Sequence, residues 1–136
     1  MPMVVWWPGK VAAGSVNNDL VDFTDFLPTF ADIARVPKPT TYGPLDGVSF
    51  FPHMVGATGK ARPWIFNHYH PMMKNSPNIN ATSRWVQDSV YKLYDTTYKF
   101  YNIKLYPLEI SPIKTLTAEE KSIRRSLGNV FSVMHN

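Results

Sequence analysis

The sequence contains no cysteine. Disulfides, thiolate nucleophiles and cysteine-ligated metal sites are therefore excluded, and the redox compartment stays open. It also has no apolar run near the roughly 20 residues that a membrane-spanning helix needs. Charge is sparse, at 18% of residues, and nearly balanced: 14 Lys+Arg against 10 Asp+Glu give a formal +4. The basic residues are scattered, apart from Lys121, Arg124 and Arg125 near the end. Nucleic-acid binders collect such charge on a stripe, so an ordinary solvated surface is the better reading. Neither nucleic acid nor membrane is an expected partner. The opening Met1-Pro2-Met3-Val4-Val5-Trp6-Trp7 lacks the charged region and small-residue cleavage site of a signal peptide, and the compartment is left unassigned. There is no internal repeat and no low-complexity tract.

Hydrophobic residues, by contrast, make up 44% of the 136. That is enough for a core and argues against wholesale disorder. Twelve prolines and seven glycines predict short elements joined by many turns. The length fits one domain or the tail of a larger one.

Met3 to Trp7 reads as a short buried strand, ended by Pro8-Gly9. Phe23, Phe26, Leu27, Phe30 and Ile33 recur at helical spacing and predict a helix within residues 20–34. Thr24 is a candidate N-cap, Pro28 requires that the helix begin close before it, and Pro37 and Pro39 stop it. Residues 36–63 read as a long connection with one helical turn at Ser49 to Val55.

Trp64 to Tyr69 then predicts a strand from its aromatic and β-branched content. Residues 71–82 read as a polar loop, and Asn80-Ala81-Thr82 fits the short glycosylation pattern. Ser83 to Gln87 and Val90 to Tyr94 predict two strands joined at Asp88-Ser89, with Lys99 to Ile103 as a further strand. The clearest element is the last. Thr117-Ala118-Glu119-Glu120 is a capping box, and Ile123, Leu127, Val130 and Met134 mark one apolar face behind it. This predicts an amphipathic helix packed on an antiparallel sheet.

Five stretches resemble, in order, the C-terminal third of sulfatases in the alkaline phosphatase superfamily. Met3 to Lys10 is similar to a strand ending in Trp-Pro-Gly. Val21 to Thr29 is similar to a helix carrying Asp-x-x-Pro-Thr. Leu45-Asp46-Gly47-Val48-Ser49 matches a Leu-Asp-Gly-x-Ser turn. Arg84 to Leu93 resembles the hairpin written Ala-Val-Arg-Asp-Gly-x-Tyr-Lys-Leu, with Ser89 in place of its glycine. Phe100-Tyr101-Asn102-Ile103 stands where Leu-Tyr-Asp-Leu is expected. The Asp-Pro-Gly-Glu stretch that commonly follows is replaced by Lys104 to Glu109.

The resemblance implies an α+β fold: a small antiparallel sheet with a packed C-terminal helix, preceded by a strand-helix remnant of the large α/β domain. It divides the chain into 1–62, the end of the catalytic domain, and 63–136, the C-terminal subdomain. It implies a sulfuric ester hydrolase whose complete form uses calcium and formylglycine. The Cys-x-Pro-x-Arg or Ser-x-Pro-x-Arg motif that yields formylglycine is absent here, and no cluster of calcium ligands is visible. The chain alone is therefore expected to be inactive, a scaffold and pocket rim without catalytic or metal residues. The alternative is a non-catalytic binding or structural module. The missing neighbours of residues 1–34 imply either self-association through the N-terminal third or contact with an upstream catalytic region.

His68 and His70 lie two apart, on one face if residues 64–70 form a strand. The resemblance makes them substrate-binding candidates at the pocket rim, where a histidine can donate to a sulfate oxygen. The plainer reading is two exposed sheet histidines without a task. A metal site with His53 has no ligand-spacing motif behind it. Lys10 is more simply a solvated loop lysine. Asp46-Gly47 is more simply a turn than a metal ligand. Trp64, Trp85, Tyr69 and Tyr91 suit a half-buried sheet better than a sugar-stacking platform.

Overall fold

The computed structural model describes residues 3–41, 43–70 and 82–134. It divides into two compact units, Met1–Arg62 and Pro63–Asn136. The expected polar loop and the Asn80-Ala81-Thr82 pattern lie largely outside the described residues.

In the first unit, a turn of 3-10 helix at Phe23–Asp25 leads into α1 (Phe26–Ala34). The cap is Asp22 rather than Thr24: its carboxylate accepts from the Thr24 amide at 3.0 Å, and Asp25 accepts from the Asp22 amide at 2.7 Å. A carboxylate there satisfies amides that the helix leaves unpaired. Pro28 falls in the first turn of α1, where its missing N–H costs nothing. Arg35 ends the helix in the left-handed region, its amide reaching back to the Ala31 and Asp32 carbonyls. The buried side of α1 is Pro28, Thr29 and Ala31. Much of the aromatic side faces water, with Phe23 76% exposed and Phe30 59%, while Phe26 is half-buried and packs edge-on against Phe50.

Residues 3–7 do not form the expected strand. A strand needs a ladder partner for its amides and carbonyls, and among the described residues of this unit there is none. The Trp7 carbonyl instead accepts from the amides of Lys10 and Val11, closing a turn through Gly9 at φ 76. Among the described residues of the long connection, α2 (Phe51–Met54) alone is helical.

The second unit is a four-stranded antiparallel meander: β1 (Ile65–Tyr69), β2 (Ser83–Gln87), β3 (Tyr91–Tyr94) and β4 (Phe100–Asn102). Phe66 pairs with Val86, Val86 with Leu93 and Leu93 with Phe100. That register gathers one apolar row across the sheet. Asp88 closes the β2–β3 turn: its carboxylate accepts from the Val90 and Tyr91 amides at 2.7 and 2.6 Å. The side chain supplies what the Ser89 backbone alone does not, so the turn closes without a glycine.

Helix α3 (Ala118–Val133) covers the apolar row. Its capping box forms as the sequence predicts, with Glu120 N to Thr117 Oγ1 at 3.2 Å and Thr117 N to Glu120 Oε2 at 2.8 Å. Leu127, Val130 and Phe131 join Val86, Leu93 and Phe100 in the core, with Ile123 at its edge. Each such burial is worth about 1.5–3 kcal/mol relative to exposure. Met134 is not part of this face. The helix ends before it, and Phe131 packs edge-on against Phe66 instead.

Candidate functional site

Side chains alternate across β1, so Phe66, His68 and the following His70 share one side of the sheet. Phe66 is on the covered part of that side, and the two histidines lie beyond it, exposed. Their rings are 6.2 Å apart, tilted by 48°. His70 Nδ1 lies 2.8 Å from Thr82 Oγ1, which fixes the ring from the β2 side. His68 is directly opposite Arg84 in the ladder, and Arg84 is ion-paired with Asp95 just past β3. The result is an exposed row of two imidazoles beside a guanidinium that a carboxylate already holds. Imidazole N–H groups donate to oxyanions, and they do so as charged donors once protonated.

The other side of the sheet carries a polar cluster that periodicity alone did not reveal. Lys92 Nζ sits 4.8 Å from both the Trp85 and Tyr94 rings and 2.7 Å from Glu109. The Tyr94 hydroxyl donates to Glu109 at 2.7 Å. Burial pushes the Glu109 carboxyl up, but its bonds from Lys92 and Tyr94 outweigh that and hold it below the usual range. Desolvation pushes Lys92 down, but its interactions with Glu109 and Tyr94 together outweigh that and hold it above its ordinary value. Cation–π contact and ion pair together anchor the segment after β4. Trp85 therefore serves the sheet, as does Tyr91, which stacks on Phe100 at 5.0 Å. Trp64 packs against the core. Tyr69 remains exposed.

In the first unit, Asp25 and Arg62 are the residues that sequence reasoning missed. Asp25 is almost wholly buried and accepts from the Val48 amide at 2.6 Å and from Arg62 Nε at 2.8 Å. Burial pushes its carboxyl up, and Arg62 with the Asp22 and Val48 amides overcomes this to hold it below the usual carboxylate range. Only the Asp-x-x-Pro-Thr resemblance touched this site, and nothing in it pointed to residue 62. Gly47 lies against the same turn: a Cβ there would come within 2.0 Å of the Thr24 carbonyl oxygen. Close approach explains Asp46-Gly47, as a turn glycine would. Lys10 is an exposed loop residue.

His53 bonds Asp19 through Nδ1 and stands in the first unit, while His68 and His70 belong to the second. Among the described residues, no three His, Cys, Asp or Glu side chains converge on a point that could hold a metal ion. The resemblance places calcium in the complete enzyme, and no chemistry is assigned to it in this chain.

A family model described as "N-sulphoglucosamine sulphohydrolase, C-terminal" matches residues 1–130. The chain is 33% identical over 95 residues to the ulvan-active sulfatase of Formosa agariphila, covering 68% of this chain and 18% of that protein. It is 31% identical over 72 residues to the N-acetylgalactosamine-6-sulfatase of Mus musculus, covering 53% of this chain and 14% of that protein. Among solved structures, a 2-O GAG sulfatase superposes with a TM-score of 0.54 and 22% identity, over 81% of this chain and 23% of that one. A protein solved in complex with its substrate D-glucosamine-2-N,6-O-disulfate gives 0.60 and 21%, over the same shares. Those two likenesses establish the fold. The chain thus spans less than a quarter of the length of these relatives. From the match over residues 1–130, together with the antiparallel sheet and its capped C-terminal helix, the chain belongs to the sulfatase family and corresponds to the family's C-terminal segment.

Proposed function

We propose that this chain serves a sulfuric ester hydrolase as its C-terminal segment, with His68 and His70 at the rim of the substrate pocket. The nucleophile and calcium ligands are assigned to a preceding catalytic region, as the resemblance implies, since the sequence holds no formylglycine motif. The observation that carries the reading is the exposed imidazole pair on the open end of β1, one ring tied to Thr82. Groups so placed bind and orient a sulfate oxygen; they do not attack sulfur. The chain's own contribution is substrate orientation and selection.

Three measurements test this. The coding sequence upstream of Met1 should carry a Cys-x-Pro-x-Arg or Ser-x-Pro-x-Arg motif in frame. A genuine start with no such motif would favour the non-catalytic module instead. In the longer enzyme, His68→Ala and His70→Ala should raise KM for a sulfated substrate about tenfold, the loss of one charge-assisted hydrogen bond. Unchanged KM in both variants would remove the histidines from the pocket. The 136-residue chain alone should not hydrolyse an aryl sulfate. Turnover that survives further purification and is lost on mutating one of its residues would overturn that.

A further inference from the structure

We propose that a groove between the turn after β3 and helix α3 binds an anionic stretch of oligosaccharide, one bearing sulfate or carboxylate groups. The choice of a glycan as ligand rests on the reading of the chain as part of a sulfatase. The groove itself rests on separate observations. It is an open groove of about 570 Å3 lined by Leu93, Tyr98, Lys121, Arg124, Arg125 and Phe131, among others. That volume is within the range of small-ligand sites, about 300–1,000 Å3.

Lys121, Arg124 and Arg125 are spaced by three and four residues, so they share one stripe of α3. Three like charges within little more than a turn repel one another, and an acidic neighbour ordinarily relieves such a stripe. Among the described residues none of the three forms an ion pair. The carboxylate at the groove's edge, Asp95, is already held by Arg84. The stripe is therefore left to neutralise something from outside.

Tyr98 supplies the second half of the argument. It is 71% exposed and has a left-handed backbone at φ 53, which non-glycine residues seldom adopt. Arg124 Nη2 donates to its carbonyl at 3.3 Å, which holds the turn beside the cationic stripe. An open aromatic ring next to guanidinium and ammonium groups suits a sugar, whose C–H faces pack on the ring while its anionic substituents meet the cations. Arginine retains further N–H donors for such a group after this one bond. Asp95, at the edge of the groove, is held by Arg84, the ladder partner of His68.

The test is calorimetric titration of the 136-residue chain with a heparin tetrasaccharide, its desulfated counterpart, and single-stranded DNA of matched charge. The sulfated tetrasaccharide should bind, and the desulfated one should bind at least about tenfold more weakly. Arg125→Ala and Lys121→Ala should each weaken binding by a similar factor, and Tyr98→Ala should weaken it too. Lys60→Ala, which removes an exposed charge from the other unit, should change it less than about twofold. No binding, equal binding of DNA, or an equal loss in Lys60→Ala would overturn the proposal. The sulfatase reading would survive any of these, since its tests are the upstream motif and the KM of the His68 and His70 variants.

Discussion

Arg62 and Asp25, 37 positions apart, form an ion pair that is almost wholly withdrawn from water. The guanidinium also reaches the Thr24 hydroxyl at 3.0 Å and the Asp46 carbonyl at 3.2 Å. One side chain thus ties the start of α1 to the middle and the end of the connection that follows it. Thr29 adds a second tie, donating to the Asp25 carbonyl at 2.6 Å and accepting from the Phe50 amide at 3.1 Å.

Arg62→Ala should destabilise the chain by about 3–5 kcal/mol, because it strands a buried carboxylate. Urea unfolding measures this, and a loss below 1 kcal/mol would mean that water reaches Asp25. The sign with pH follows from the depressed carboxyl. The stability it contributes is present above the unfolded value, about 3.9, and is lost as pH falls through the lower folded value. Asp25→Asn should therefore flatten the acid limb of the stability profile.

Thr117→Ala should cost about 1 kcal/mol through loss of the N-cap bond to Glu120. Thr117→Ser should restore most of it. Thermal unfolding is the measurement, and an unchanged midpoint would place the start of α3 elsewhere.

His53 should titrate above its ordinary value. Its bond to Asp19 raises it most, and desolvation opposes this only in part. With a raised folded value, the stability it contributes is complete below about 6.5 and is lost as pH rises through the folded value. A proton NMR titration should show the elevated midpoint, and Asp19→Asn should bring it down. Identical midpoints in the two proteins would show that the pair does not form in solution.

The isolated chain should self-associate through residues 1–34. Leu27 and Phe30 on α1, Phe23 in the 3-10 turn that leads into it, and Val4 and Trp6 before that are exposed. Each large side chain left wet forgoes about 1.5–3 kcal/mol, and a second copy offers the simplest cover. Light scattering should give a dimer or larger species at micromolar concentration, and a chain with Phe23→Ser and Phe30→Ser should be monomeric. A monomeric parent chain would refute this.

The sequence by itself determined the second unit to a large degree. The Asp88 turn and the Thr117–Glu120 box are local signals, and the backbone obeys local signals when a single short connection separates the partners. The same locality let the missing cysteine and the missing formylglycine motif bear on function before any fold was known. Tertiary structure decided the rest, because it depends on which distant groups meet. No spacing rule couples Asp25 to Arg62, places Glu109 on Lys92, or sets Tyr98 beside Arg124. Which side of α1 is buried was likewise undecidable from periodicity, which fixes an apolar face but not what covers it: here Thr29 and Pro28 turn inward, Phe26 is half-buried, and Phe23 and Phe30 stay in water. Residues 3–7 make the same point. Their composition suits a strand, but a strand is a property of a pair, and the partner is not in the composition.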